Sequence, residues 1–222
     1  MQRLRIRFSR GDALKYISHL DIIRLWERAL RRAHIRLAYS EGFSPHPRIS
    51  LAAPLSVGIT SEVELMDVTV ANQVSPHWFS AAAGQQLPAG MEIGSVYPIA
   101  PSVPSLQSQV RFAEYEVDIE TEKGAAEIEA AISHILALEQ LPWHHYRDTG
   151  RRDYDLRALI DDSWLVGPES GGYTIGMRLR CDSNGSGRPE QVAAALGFTD
   201  YPCAIRRTKL VLDAGIKPGT RR

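Results

Sequence analysis

The chain has 222 residues and a formal net charge of zero, and 44% of its residues are hydrophobic and 23% are charged. These proportions are typical of a folded globular protein and exclude a disordered, collagen-like or coiled-coil chain. No apolar run approaches the roughly 18 residues of a membrane span, and the charged first residues do not resemble a secretory signal, so we expect a cytoplasmic protein with no membrane contact. Cys181 and Cys203 are the only cysteines and form no Cys-x-x-Cys motif, which excludes a cysteine-ligated metal. We also expect no other metal site and no cofactor.

The charges are unevenly distributed along the chain. Basic residues exceed acidic ones by seven in residues 1–60 and by three in residues 151–222, whereas acidic residues are in excess by ten in residues 61–150. Folding can pair the basic segment with the acidic one, or it can leave the first sixty residues as a basic surface for an anion or a nucleic acid. The sequence leaves both alternatives open.

The first half of the chain predicts alternating strands and helices. Leu4, Ile6 and Phe8 alternate with arginines, which predicts a strand with one buried face. The next segment predicts a helix that starts near Ser18 and has an exposed basic side, consisting of Arg24, Arg28 and Arg31. A strand, a Gly/Ser/Pro-rich loop, a strand, a helix and a strand are expected at residues 35–39, 40–50, 62–70, 76–84 and 91–97.

The second half of the chain predicts the same order of elements. Strand, helix, hairpin, helix and strand patterns occur at residues 112–120, 125–138, 156–181, 189–196 and 205–212. The order β-α-β-β-α-β is that of the ferredoxin-like unit. We therefore expect an α+β protein with two tandem ferredoxin-like units, antiparallel sheets and helices on one face. The expected boundaries are an N-terminal domain over residues 1–98, a linker over 99–110, a C-terminal domain over 111–213 and a flexible tail over 214–222.

Two segments carry the candidate site residues. One lies where the first strand meets the first helix, and its backbone N–H groups and basic side chains suit an anion; its candidates are Lys15, Tyr16 and His19. The other is the loop between two predicted strands, which Pro45 and Pro47 stiffen. Its hydroxyl, imidazole and guanidinium groups suit an oxyanion such as phosphate, and belong to Ser40, Ser44, His46, Arg48 and Ser50.

The chain resembles the radical-SAM-linked protein family of bacteria. The resemblance spans residues 2–213 and rests on the runs KYISHLD at residues 15–21, YSEGFSPHPRIS at 39–50, APLSVG at 53–58, DLR at 155–157 and RRT at 206–208. Members of this uncharacterised family are fused to radical SAM proteins or encoded beside them, and a chain without cluster-binding cysteines resembles the stand-alone form. The resemblance implies a radical SAM protein as partner and an RNA-related setting. At the level of fold alone, the chain is also similar to CRISPR repeat endoribonucleases.

Three functions follow as hypotheses. The leading one is an RNA-binding or RNA-modification accessory protein, associated with a radical SAM enzyme. It would present Lys15, His19, Arg48 and the helix arginines to a phosphate backbone. The first alternative is a metal-independent endoribonuclease in which His19 or His46 transfers a proton. The second alternative is a protein-binding adaptor without RNA. The first two hypotheses place the two candidate segments at the same end of one sheet, because each segment is expected to follow one of two parallel strands. Segments at opposite ends would remove the composite site and leave only the adaptor hypothesis.

Overall fold

The computed structural model describes residues 1–147 and 150–213. The chain divides into two compact units: unit 1 contains Met1–Val110 and the chain end from Leu212, and unit 2 contains Arg111–Val211. Both units combine antiparallel strands with a few short helices, so the fold is mixed α+β. Within the described ranges, no helix is both long and apolar enough to cross a membrane. The predicted tail, residues 214–222, lies outside the described residues.

Unit 1 has the predicted order of strands and helices along the chain. Its elements are β1 (Gln2–Arg10), α1 (His19–Arg32), β2 (Ile49–Leu51), β3 (Thr60–Val70), α2 (Pro76–Gly84), β4 (Ile93–Ile99) and α3 (Leu106–Gln109). In space the strands follow the order β2-β3-β1-β4, and each strand is antiparallel to its neighbours. Because β1 and β2 both pair with β3 in this way, they run parallel to each other.

The core of unit 1 lies between the sheet and its helices. Leu4, Ile6 and Phe8 are buried on one face of β1, as the alternation predicts. The rings of Phe8 and Trp26 of α1 meet edge to face, with their centroids 5.0 Å apart. Helix α1 begins where its cap predicts, because the backbone N–H of Asp21 donates to Oγ of Ser18 at 3.2 Å. Burial of the apolar side of α1 leaves its arginines facing away from the sheet.

The other face of β1 carries a buried ion cluster. Both oxygens of the Asp67 carboxylate on β3 accept hydrogen bonds, from Nε and Nη2 of Arg3 at 3.0 and 2.6 Å and from Nε and Nη2 of Arg5 at 2.7 and 3.0 Å. Burial opposes the charge of Arg5, but the hydrogen bond and the negative charge of Asp67 outweigh it and raise the pKa of Arg5. The strand arginines are therefore paired with a residue of the acidic segment.

The segment expected to be a linker lies against this ion cluster. Nη1 of Arg3 donates to the carbonyl of Val103 at 2.7 Å, and Nη2 of Arg3 donates to the carbonyl of Pro104 at 2.9 Å. Leu106, in α3, is buried. Residues 103–106 are thus bound to unit 1 by two backbone carbonyls and a buried leucine. The linker prediction rested on the proline and serine content of this segment, which does not reveal such contacts.

The second strand of unit 1 differs from its predicted position. A strand was expected at residues 35–39, but this segment forms no regular strand and makes isolated bridges, from Leu37 to Val70 and from Tyr39 to Pro47. Hydrogen bonds of Arg36 and Ala38 to residues 69–71 hold it against the end of β3. The strand that pairs regularly with β3 is Ile49–Leu51. Three residues are too few to give a period-two pattern, so the sequence favoured the longer apolar alternation upstream.

Unit 2 contains the predicted helices and strands and one additional hairpin. Its elements are β5 (Val110–Glu120), α4 (Ala125–Ala137), β6 (Pro142–Arg147), β7 (Gly150–Asp155), β8 (Ile160–Glu169), β9 (Gly172–Asp182), β10 (Gly185–Ser186), α5 (Pro189–Ala195) and β11 (Ala204–Leu212). In the main sheet of the unit, β9 lies between β8 and β5, and β5 lies between β9 and β11. The additional hairpin, β6-β7, forms a separate two-stranded sheet.

Candidate nucleic-acid interface

The exposed face of α1 is the basic surface of unit 1. Arg24, Arg28 and Arg31 are all exposed, as the helical spacing predicts, and the neighbouring Arg32 is exposed as well. The side chain of Arg32 donates to the carbonyl of Gln86 at 2.7 Å, which ties the end of α1 to the segment after α2. We call Arg24, Arg28 and Arg31 the α1 arginine stripe. Its residues recur three or four positions apart, so their side chains project from one side of the helix.

Two carboxylates on the same helix partly neutralise the stripe. Nη1 of Arg24 lies 3.2 Å from Asp21, and Nη2 of Arg31 lies 2.7 Å from Glu27. The hydroxyl of Ser18 and then the guanidinium of Arg24 lower the pKa of the Asp21 carboxyl. Among the residues that the structure describes, Arg28 makes no ion pair. Exposed ion pairs on a helix contribute little, so a phosphate can compete for all three arginines.

The segment before α1 places an exposed aromatic ring next to a cation. Nζ of Lys15 lies 3.0 Å from Asp12, whose hydrogen bond and charge raise the pKa of Lys15, and 5.5 Å from the centroid of the Tyr16 ring. The Tyr16 side chain is 74% exposed. Leu20, one turn before Arg24, is exposed too. The start of the stripe is therefore both basic and apolar.

His19 lies beside a cavity that is too small for a substrate. The cavity has a volume of about 10 Å³, and its lining includes His19, the buried Arg10 and the buried Glu64. This volume accommodates roughly one water molecule. In residues 1–147 and 150–213, no three His, Cys, Asp or Glu side chains lie close enough together to hold a metal ion. This cavity has no room for an RNA phosphodiester.

The loop before β2 is closed by its own hydrogen bonds. The N–H of Ser40 donates to the carbonyl of His46 at 2.8 Å, and the N–H of His46 donates to Oγ of Ser40 at 3.0 Å. Gly42 has a φ of +118°, a left-handed conformation that favours glycine at the turn. Ser44, His46 and Arg48 are exposed, whereas Ser50 is half-buried in β2 opposite Asp67. We call residues 40–48 the Phe43 loop, after the residue at its tip.

The two candidate segments lie at opposite ends of the unit 1 sheet. Thr69 is opposite Arg3 near the start of β1, and its N–H donates to the carbonyl of Arg48 at 2.9 Å, which places the Phe43 loop at that end. Lys15 follows the other end of β1, beyond Arg10. Seven residues of strand between Arg3 and Arg10 span about 23 Å. The prediction that these segments are neighbours is wrong, and His19 and His46 do not form one site.

The displaced second strand explains this separation. The strand parallel to β1 is β2, so the Phe43 loop precedes that strand instead of following it. The segment that follows β2 and reaches the end of β1 is residues 53–58, where the N–H of Gly58 donates to the carbonyl of Lys15 at 2.8 Å. The KYISHLD and APLSVG runs therefore meet, and the YSEGFSPHPRIS run lies at the far end.

Sequence analysis missed the most exposed aromatic side chain of unit 1. Phe43, at the tip of its loop, is fully exposed. Its loop was selected for polar groups that bind oxyanions, so the ring was not counted among the candidates. The sequence did contain a feature that could have predicted this exposure. Phe43 lies between Gly42 and Pro45 in a segment without apolar periodicity, so its ring has no buried face to occupy.

A second candidate surface in unit 2 is aromatic and of mixed charge, since Arg151 lines its cleft together with Asp153 and Asp155. The hairpin β6-β7 borders an open cleft of about 420 Å³, lined in part by Trp143, His144, Arg151 and Tyr154. Arg151 is paired with Asp153 at 2.7 Å. The rings of His145 and Tyr154 lie 5.5 Å apart, on the hairpin face opposite His144. The two adjacent histidines thus point to different faces, as expected for a strand.

Comparison with known proteins assigns the chain to a family. Residues 3–189 match the family described as "Uncharacterized protein conserved in bacteria (DUF2344)". The chain belongs to this family. The match confirms membership of a conserved bacterial family, as the resemblance implied. No curated protein matches the DUF2344 chain.

Three solved structures with a similar fold share little sequence with the DUF2344 chain. "Crystal Structure of a Cbf5-Nop10-Gar1 Complex" contains a chain with a TM-score of 0.50 at 8% identity, and the match covers 92% of this chain and 48% of that one. "Structure of H/ACA RNP bound to a substrate RNA containing 2'-deoxyuridine" gives a TM-score of 0.45 at 9% identity, covering 92% and 47%. "Crystal structure of the archaeal box H/ACA sRNP Nop10-Cbf5 complex" gives 0.44 at 8%, covering 93% and 48%. The DUF2344 chain thus spans about half the length of these chains, and the likeness concerns the fold alone.

Proposed function

We propose that this protein is an RNA-binding accessory protein whose contact surface is the exposed face of α1. The observation that carries the proposal is the α1 arginine stripe: three exposed guanidiniums on one side of a helix whose opposite side is buried. Guanidinium groups bind phosphate oxygens with two hydrogen bonds each, and a row of them follows a phosphate backbone. The strand arginines Arg3 and Arg5 are committed to Asp67, so the proposal does not include them.

Binding is better supported than cleavage. The endoribonuclease alternative gives proton transfer to His19 or His46. Because these residues lie at opposite ends of the sheet, they cannot act together on one phosphodiester, and either histidine would have to act alone. With the composite site lost, the sequence argument by itself leaves only the adaptor. RNA binding is proposed on a separate observation, the exposure of the α1 arginine stripe. The protein-binding adaptor is the function that stands if no RNA binds.

The finer features of the fold and the partner are also proposals. We propose that each unit is ferredoxin-like, which is supported by the strand order β2-β3-β1-β4 in unit 1 and by the arrangement of β8, β9, β5 and β11 in unit 2. The family resemblance supports a radical SAM protein as partner. Two free cysteines are compatible with a reducing compartment such as the cytoplasm.

The test is the salt dependence of RNA binding by the full chain. A labelled RNA of mixed sequence is titrated by fluorescence anisotropy between about 50 and 200 mM salt. We expect a plot of log affinity against log salt concentration to have a slope of about −2 or steeper, because each neutralised phosphate contributes roughly −0.7 for single-stranded RNA. The double variant Arg24→Ala with Arg28→Ala should reduce the magnitude of the slope by about 1.4.

The matched control is Arg188→Ala. Arg188 is an exposed arginine beside Glu190 at the start of α5 in unit 2, and its loss should leave the slope unchanged. A salt-independent affinity, or no RNA binding at low salt, contradicts the proposal. Equal losses in the stripe and control variants would also contradict it, because they would reflect overall charge and not this surface.

A further inference from the structure

Exposed aromatic rings lie at the two ends of unit 1 between which α1 runs. Tyr16 precedes the helix and is 74% exposed, and Phe43 is fully exposed at the tip of its loop. Both are large side chains that gain nothing from the core of unit 1. A single exposed apolar side chain is common on a protein surface, so the inference depends on the two rings being combined with the basic face of α1.

The path of α1 connects the two rings. The helix starts next to the Arg10 end of β1, where His19 borders the same cavity as Arg10. Four residues after the helix ends, the carbonyl of Arg36 accepts a hydrogen bond from Ala71, just beyond the end of β3 that carries the Phe43 loop. The fourteen residues of α1 span about 21 Å. The stripe therefore runs from the Tyr16 end of unit 1 to the Phe43 end.

The Phe43 loop is closed at its base. The two hydrogen bonds between Ser40 and His46 and the bridge between Tyr39 and Pro47 close the base of the loop. A side chain held on a closed loop loses less conformational entropy on binding than one on an open loop. Arg48, exposed at the base of the loop, adds a positive charge at this end.

We propose that the surface binds unpaired, single-stranded RNA, with bases stacked on Tyr16 and Phe43 and the intervening phosphates along the α1 arginine stripe. This inference rests on the proposed function and names its substrate class. Bases in a duplex are hidden in the stack, whereas unpaired bases expose the faces on which aromatic side chains stack. A protein that bound duplex RNA through phosphates would have no use for two exposed rings. The basic helix between the rings supplies the charge complementarity that a nucleic acid requires.

The experiment compares a single-stranded RNA of mixed sequence with the duplex of the same length, using the full chain at fixed salt. Phe43→Ala and Tyr16→Ala should each weaken single-strand binding about fivefold or more, because stacking contributes about 1–3 kcal/mol per base. Duplex binding, by contrast, should change less than twofold. The salt slope should stay the same, since no charge is lost. Phe43→Trp keeps an aromatic face and should restore the affinity.

The control is Tyr201→Ala, which removes an exposed aromatic ring from unit 2 and should leave the affinity for both RNAs unchanged. Absence of RNA binding in the unmodified chain would refute the proposed function itself. Salt-dependent binding that is as tight for the duplex as for the single strand would refute only the stacking inference. Salt-dependent binding that is unaffected by either alanine variant would also refute only that inference. Since both side chains are exposed, circular dichroism and thermal unfolding should be unaltered in all variants.

Discussion

Replacement of Asp67 by asparagine tests how unit 1 holds two arginines on the sheet face away from α1. The Asp67 side chain is 6% exposed and accepts four hydrogen bonds from Arg3 and Arg5. Asparagine has nearly the same shape, but it carries no charge and has only one oxygen to accept hydrogen bonds. The change therefore leaves two adjacent guanidiniums without their counter-charge while it preserves the packing.

The cost follows from the burial of the two arginines. Removal of one partner from a buried ion pair typically costs about 3–5 kcal/mol, because the remaining charge is left uncompensated. The Arg5 side chain is as buried as Asp67, whereas Arg3 is 20% exposed and keeps its bonds to the carbonyls of Val103 and Pro104. Water and these carbonyls relieve part of the penalty, so we expect a loss near the lower limit, about 3 kcal/mol. For a chain of this length the unfolding temperature should fall by roughly 6–12 °C.

The assay is urea unfolding followed by circular dichroism, with thermal unfolding as a second measurement. The control is Asp161→Asn in unit 2, where the carboxylate is 38% exposed and lies 3.6 Å from Arg178. An exposed pair of this kind should contribute less than about 1 kcal/mol. If Asp67→Asn costs no more than Asp161→Asn, the ion cluster does not stabilise unit 1 and the reasoning fails.

Two further substitutions test the packing of each unit. Gly176→Ala would place a Cβ 2.1 Å from Cε2 of Trp164, so it should destabilise unit 2, and the added change Trp164→Ala should recover most of that loss in urea unfolding. Trp26→Ala should lower the free energy of unfolding by roughly 3–5 kcal/mol, and Trp26→Phe should lower it by less than half as much. The buried Nε1 of Trp26 has no hydrogen-bond partner, so phenylalanine loses no hydrogen bond. Equal costs for the two Trp26 variants, or no recovery on Trp164→Ala, would contradict these interpretations.

The helices and long strands could be predicted from periodicity, because the side of each element that faces the core is apolar. Leu4, Ile6 and Phe8 identify β1, and the capping residue Ser18 identifies the start of α1. The three-residue strand β2 could not be found in this way, since its position depends on pairing with β3 over long range. That single misplacement moved the Phe43 loop to the wrong end of the sheet.

The charge pattern of the sequence raised two alternatives for the basic segment but could not decide between them. The sequence showed that basic and acidic residues are segregated, and both proposed outcomes occur in unit 1. Arg5 is buried against Asp67 of the acidic segment, whereas Arg28 is exposed on α1. The difference depends on which face of its element each arginine occupies and on what packs there. The role of Phe43 was equally hidden, because exposure of one ring on a loop is a property of the folded chain.

The most direct test of the central claim is to compare RNA affinity in variants that change the charge of the α1 face in opposite directions. Glu27→Gln removes the carboxylate that pairs with Arg31, and Arg28→Ala removes a cation from the same surface. At low salt, Glu27→Gln should bind RNA more tightly and Arg28→Ala more weakly, each by up to about fivefold, as expected for one unit charge near a phosphate in water. A gain cannot arise from damage to the fold. If both variants bind RNA as the unmodified chain does, the exposed face of α1 is not the RNA-binding surface.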